Sequence, residues 1–285
     1  MAWIRPSRVL VFAAYEIRRA LARKKVLAMV AFIVLLDVAG YYIFATSGSS
    51  LIPPDVYPYV WIAGVLIPFT LFIQFLAILI AAGAMSEEYE AGTAELLLAK
   101  PVGRAEFFVG KYLGGYALLS LMVLLNAGLS TVAATLAFGP QTDLATLPVV
   151  VLVEIFSSAL FFSVAFMLGE LVRRSSLAYI LSSGVIVASQ IVGTYLSIAY
   201  GLTGNAFYSM LHTYLPTTLA GSLPTQYEQS VLPSSTGRIF ELILGPSAGI
   251  PSEALAAILI LVYFAVAVSV ALAYFRWADV SRRVS

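Results

Sequence analysis

The stretch Ser86–Lys111, SEEYEAGTAELLLAKPVGRAEFFVGK, is charged and punctuated by Gly and Pro, yet it sits between two long apolar runs, Tyr59–Met85 and Tyr112–Phe138. An apolar run of about 20 residues is enough to cross a bilayer as a helix. Four more such runs lie outside this pair: Val26–Thr46, Leu147–Gly169, Leu177–Tyr200 and Ala254–Phe275. The runs flanking the charged stretch are longer than a bilayer needs, which predicts tilt or projection. The expected fold is therefore an all-α integral membrane protein with six transmembrane helices, folded as one domain over residues 1–285.

Composition agrees. The 285 residues are 61% hydrophobic and 11% charged, against about 25% charged in soluble domains. A net charge of +1 leaves no basic face for nucleic acid. The absence of cysteine excludes disulfides and thiolate chemistry. The apolar run Val9–Tyr15 is short and is followed by basic residues rather than a cleavage site, so the N-terminus is expected to be retained.

Positive charge sets the expected orientation. Arg5, Arg8, Arg18, Arg19, Arg23, Lys24 and Lys25 precede the first span; Lys100, Arg104 and Lys111 lie between spans two and three. Arg173 and Arg174 follow span four, and Arg276, Arg282 and Arg283 follow span six. All fall on one side of a six-span arrangement, with Arg238 alone opposite. That predicts a plasma-membrane protein with both termini, and the opening stretch, in the cytoplasm.

Residues 1–25 read as an amphipathic elbow helix. Leu10, Ala13, Ala14, Ile17, Ala20 and Leu21 share one face, with Arg8, Tyr15, Arg18, Arg19 and Arg23 pointing away. The bland alternative is a basic tail that fixes topology. Residues 201–253 are too apolar for a disordered loop and are expected to form a structured or re-entrant outer segment. Span six, 254–276, and a cytoplasmic tail, 277–285, complete the chain.

Catalytic signals are sparse. Gly245–Gly249, GPSAG, matches G-x-S-x-G, and His212 lies in the same outer segment. A nucleophile elbow needs a strand before Ser247 and a helix after it, whereas Pro246 and Pro251 flank it here. A hydrolase at Ser247 stays a distant alternative. One histidine cannot supply an H-E-x-x-H zinc pair. Glu87-Glu88 would need Arg at position 92 to match a CAAX-type membrane protease, and Gly92 stands there. No phosphate-binding loop occurs, so any ATP-driven work belongs to another polypeptide.

Ionisable residues inside spans are costly and usually face a bundle interior or a watery cavity. Asp37 in span one and Glu154 in span four read either as a substrate or proton pathway or as buried hydrogen-bonding groups. Ser189 and Gln190 in span five, among Ser182, Ser183, Gly193, Thr194 and Ser197, suit either close helix packing or a polar path. Gly110 and Gly114 make a G-x-x-x-G at the foot of span three, for packing or by chance.

Locally, the opening stretch is a short helix at about 93–100. Gly92 interrupts span two, Thr93 is the expected N-cap, and Glu95 suits the positive helix end. Lys100 and Pro101 end it. Leu96, Leu97 and Leu98 suit insertion into a partner's groove.

This pattern closely resembles the segment after span two in permease subunits of ABC-2-type ABC transporters, the NosY-like permeases among them. It is carried by Glu90, Gly92, Thr93, Glu95, Leu96, Leu97, Lys100, Pro101, Val102, Arg104, Gly110 and Lys111. The resemblance implies a cytoplasmic coupling helix between spans two and three. It also implies two copies of a separate ABC ATP-binding subunit and a second permease copy or homologue. ATP-Mg would sit on the partner, this chain carrying no cofactor, metal or catalytic residue of its own, and export is the implied direction. Glu90, Gly92, Thr93, Glu95, Leu96, Leu97, Lys100, Pro101 and Arg104 are then the expected ATPase contacts. Asp37, Glu154, Ser189 and Gln190 are candidates for a substrate path. Ion-coupled secondary transport through Asp37 and Glu154 is the alternative function.

Overall fold

A computed structural model describes residues 5–47, 54–99, 103–231 and 251–277. Every regular element among them is helical. The elements are α1 (Pro6–Leu21), α2 (Lys24–Ser47), α3 (Val60–Pro68), α4 (Gln74–Glu90), α5 (Thr93–Leu98) and α6 (Arg104–Phe138). They continue as α7 (Leu147–Val172), α8 (Ser175–Thr203), α9 (Ala206–Thr213), α10 (Pro216–Val231) and α11 (Glu253–Trp277). Six helical stretches are long and apolar enough to span a membrane, at Lys24–Thr46, Pro54–Glu90, Arg104–Phe138, Leu144–Val172, Ser175–Thr203 and Glu253–Trp277.

The second stretch is continuous through Pro68 because the helix widens there into one π-helical turn, Phe69–Ile73. Proline has no N–H to donate to the preceding turn, and a π-turn is a common way to absorb the mismatch. At 1.5 Å per residue the 37 residues Pro54–Glu90 extend about 55 Å, and the 35 of α6 about 52 Å. A hydrocarbon layer is about 30 Å thick. Both stretches are therefore longer than that layer, and the end of α4 and the start of α6 lie together at the end that carries α1 and α5. That end is called the basic end below.

The core forms around α4 and α7, with α6 and α11 packed on them. Gly169 of α7 lies so close to α4 that an added Cβ would sit 2.3 Å from the Ala82 carbonyl oxygen. Such small-residue contacts suit membranes, where burial of apolar surface drives helix association only weakly. An aromatic cluster fills the space nearer the basic end. Phe108 meets Phe166 edge-on at 5.2 Å and Tyr112 meets Phe162 at 5.1 Å, while Phe275 of α11 lies 6.1 Å from Phe107.

The Gly110–Gly114 pair has a definite partner. A Cβ on Gly110 would lie 2.4 Å from the Phe12 Cβ, and one on Gly114 2.4 Å from the Ala13 carbonyl oxygen. The two glycines are the groove in α6 into which α1 is pressed. This changes the expected orientation of α1. Its buried stripe is Val9, Phe12, Glu16 and Ala20, and Arg23 just beyond is buried as well. Leu10, Val11 and Leu21, by contrast, are exposed. The wheel reading groups Leu10 and Leu21 on an apolar face for the membrane interface, with Arg19 and Arg23 pointing away; in the structure Arg23 turns onto the α4 carbonyls and Glu16 makes the stripe against α6 polar.

The outer segment is structured where described: α9 and α10 account for 206–231, and α10 packs on α7 and α11. Ser247 and the GPSAG pattern lie outside the described residues.

Candidate functional site

Four consecutive residues at the end of α4, Glu87, Glu88, Tyr89 and Glu90, point in four directions, since successive residues on a helix turn by about 100°. Each is bonded to a different set of neighbours.

Glu88 is buried and pairs with the buried Lys111 Nζ of α6 and, at 3.0 Å, with Arg19 of α1. Lys111 Nζ is also 2.6 Å from Glu16 Oε2. Glu16 in turn accepts from Arg23 at 3.0 Å. Glu87 is half-buried and meets Arg23 at 2.9 Å and Lys25 at 2.8 Å, and it accepts from the Tyr179 hydroxyl of α8 at 2.6 Å. Lys25 also lies over the Tyr179 ring, 3.7 Å from its centroid. Gly83 makes room for that tyrosine, since an added Cβ would lie 2.1 Å from its hydroxyl. The Arg23 guanidinium additionally donates to the Ile80 and Gly83 carbonyls. A buried charge is tolerated where it is paired and hydrogen-bonded, and each buried charge named here has a partner of opposite sign.

The Tyr89 hydroxyl donates to Glu170 of α7 at 2.8 Å, and the Arg173 guanidinium lies over the Tyr89 ring. Glu90 accepts from the Ser175 backbone N–H at 2.8 Å and from its hydroxyl at 2.6 Å. It thereby serves as a cap for the first turn of α8, supplied from another helix.

The chain then turns at Gly92, whose φ of 69° is a left-handed conformation that glycine adopts without the Cβ penalty. Gly92, rather than Thr93, is the N-cap residue of α5. Thr93 turns its hydroxyl back onto the Glu88 carboxylate instead. The short helix is thus fastened to the charge network at its first residue. Ala94 is buried and Leu97 packs against the core. Glu95 and Leu96 face outward, Leu96 at 70% exposure. Lys100 and Pro101 lie outside the described residues. Past them, Arg104 opens α6 and reaches the Arg276 carbonyl of α11 at 3.4 Å. The Glu106 carboxylate accepts the Gly103 and Arg5 backbone N–H groups at 3.1 and 2.8 Å, tying the start of α1 to the start of α6.

The residues proposed for a substrate path are not brought together. Asp37 is buried on α2 with Oδ2 unpartnered among the described residues. Glu154 is buried on α7, within electrostatic reach of the buried Glu228 of α10, which packs on α7. Burial, and then the charge of Glu154, push the Glu228 carboxyl well above the usual carboxylate range. Ser189 packs inward, shares a 2.7 Å hydrogen bond with the Thr217 hydroxyl and accepts the Thr217 N–H at the start of α10. Gln190 is on the opposite, exposed face of α8.

The sequence reading missed Glu16, Glu88 and Lys111 as a buried triad and Glu228 as the neighbour of Glu154. Glu16 carried a signal: it is the one acidic residue within the run of basic residues before span one, and it recurs at helical spacing with Phe12 and Ala20. Glu228 carried none, being one polar residue in the polar run QYEQS.

Comparison with known proteins adds the family. The family described as ABC-2 family transporter protein matches residues 10–280. A probable ABC transporter permease protein NosY of Pseudomonas aeruginosa is 38% identical over 78 residues, 27% of this chain and 28% of that protein. Its counterpart from Stutzerimonas stutzeri is 37% identical over 67 residues, 24% of each chain. The aligned part thus spans about a quarter of the length of these curated relatives. With a family match over nearly the whole length and six helices able to span a bilayer, the chain is a multi-pass membrane protein belonging to the ABC-2 transporter family.

Proposed function

We propose that this chain is the membrane permease subunit of an ATP-driven ABC transporter working in export, with its basic end in the cytoplasm. Two copies of a separate ATP-binding subunit, carrying the ATP-Mg, dock against Glu90–Arg104, including Lys100 and Pro101. A second permease completes the translocation path. The observation that carries the reading is α5. Leu96 is exposed at its outer side, while its inner side is fastened through Thr93 and Glu88 to α1 and α6. A push on Leu96 reaches the bundle through short, paired contacts rather than through slack chain. The second permease copy is supported by α8, where Gln190 and Thr194 lie exposed among Val187 and Ile191. Polar groups on a face turned to lipid are costly, and a second helix satisfies them.

The test is co-purification with a candidate ABC ATP-binding subunit from the same organism, with Leu96→Asp and Glu95→Arg as probes. Loss of the complex, with the permease still folded, is expected. A complex that survives both changes with ATPase activity still substrate-stimulated refutes the docking site.

One observation favours ion coupling as a second reading: Glu154 and Glu228 are buried within electrostatic reach of each other, with Glu154 Oε1 and both Glu228 oxygens unpartnered among the described residues. Transport driven by a proton gradient in vesicles lacking any ATPase would establish it.

A further inference from the structure

A cavity of about 270 Å³ lies between α2, the π-turn with the start of α4, and α6. Val30, Ile33 and Val34 line it from α2, Ile73 and Leu76 from the second helix, and Met122, Leu125, Asn126 and Leu129 from α6. Its wall is apolar apart from Asn126, which is 94% buried yet has neither its amide nitrogen nor its amide oxygen bonded among the described residues.

Past the end of the cavity away from the basic end, a polar cluster closes α2 against α6. The Tyr41 hydroxyl of α2 and the Ser130 hydroxyl of α6 share a 2.7 Å hydrogen bond, and both lie within 3.4 Å of the Trp61 carbonyl oxygen, which accepts from whichever hydroxyl does not donate to the other. Gly64 makes this possible, since a Cβ there would lie 2.1 Å from the Tyr41 hydroxyl. Spans one and three run parallel, so the Tyr41–Ser130 bond fixes their register. Asp37 and Asn126 are each four residues earlier, one turn below that closure and level with one another. Asp37 also continues the helical stripe Val30, Ile33, Val34 that lines the cavity. Its Oδ2 is buried and unpartnered among the described residues.

An apolar cavity whose one polar lining group is an unpartnered amide, with an unpartnered carboxylate oxygen level with it on the neighbouring helix, defines its own complement. An uncompensated charge away from water is disfavoured, and a cation placed against it removes the penalty. The Asn126 oxygen accepts a further N–H from the same ammonium. Because a dry cavity of roughly 150 Å³ holds benzene, about 270 Å³ accommodates roughly ten non-hydrogen atoms. The geometry points to a binding site for a small lipophilic primary amine, its ammonium against Asp37 and Asn126 and its apolar body among Val30, Ile73, Met122 and Leu129. The site goes beyond the transport reading, because it needs no ATPase to fill.

The test is equilibrium binding of radiolabelled phenethylamine to the full chain in nanodiscs, with empty nanodiscs subtracting the membrane-dissolved fraction. The expected result is a saturable component of one amine per chain. Asp37→Asn, which keeps shape and removes the charge, weakens it at least tenfold, and propylbenzene, of like shape and uncharged, competes at least tenfold less well than unlabelled amine. Leu129→Trp fills the cavity and abolishes the component; Val34→Phe does the same from α2 if the tryptophan variant is not recovered. Absence of a saturable component in the unmodified chain overturns the proposal, and so does unchanged affinity in Asp37→Asn.

Discussion

Glu88 and Lys111 at the basic end are as deeply buried as Glu154 and Glu228 farther along the bundle, yet the two pairs live by different rules. Glu88 and Lys111 are bonded to one another and to Arg19, Glu16 and Thr93. Glu154 and Glu228 lie within electrostatic reach of each other with like chemistry, and Glu154 Oε1 and both Glu228 oxygens have no partner among the described residues. Asp37 and Asn126 belong with the second pair. A polar group that holds a fold together is satisfied within the fold, because losing its partner is costly. A polar group left unsatisfied in an otherwise close-packed bundle is maintained for something else.

The largest expected effect is at the satisfied end. Lys111→Met leaves Glu16 and Glu88 buried without their shared cation and should cost about 3–5 kcal/mol, read as a loss of thermal stability in detergent. Adding Glu88→Gln to it should recover part of that loss. A smaller effect is expected where α1 meets α6. Gly114→Leu places atoms inside the Ala13 backbone and should cost about 1–3 kcal/mol, with trypsin gaining access to Arg18.

At the unsatisfied end the sign reverses in meaning. Glu154→Gln removes a carboxyl whose Oε1 has no partner among the described residues, and its stability should change by less than about 1 kcal/mol or improve. A loss as large as that of Lys111→Met would erase the distinction drawn here. The smallest expected effect on stability is Leu96→Ala, within about 0.5 kcal/mol because the side chain is exposed. Its association with the ATP-binding subunit should nonetheless weaken measurably in pull-down.

The six spans were legible because a bilayer imposes a length and a polarity that composition reveals directly, and the helices found enclose each predicted run. The excess length of the second and third spans was legible for the same reason. The seating of α1 was not. A helical wheel assumes that charge seeks water, and here Glu16 and Arg23 are buried because Lys111, distant in sequence, and the α4 carbonyls answer them. The Gly110–Gly114 groove was visible as a pattern, but its occupant lies about a hundred residues upstream and no local rule names it. At the candidate site, Gly92 was read correctly as the break and Thr93 incorrectly as the cap, since the pull of Glu88 on the Thr93 hydroxyl is a contact across the turn. The pairing of Glu154 with Glu228 depends on how α10 folds back on α7, which no periodicity encodes.

The groove that receives α1 also has a consequence for biogenesis. The first helix leaves the ribosome with its polar stripe already formed, but its seat on α6 and the counter-charge of Lys111 are translated some ninety residues later. Until span three arrives, Glu16 has Arg19 and Arg23 beside it but no closed site around it. Docking of α1 therefore cannot be completed before α6 has been made.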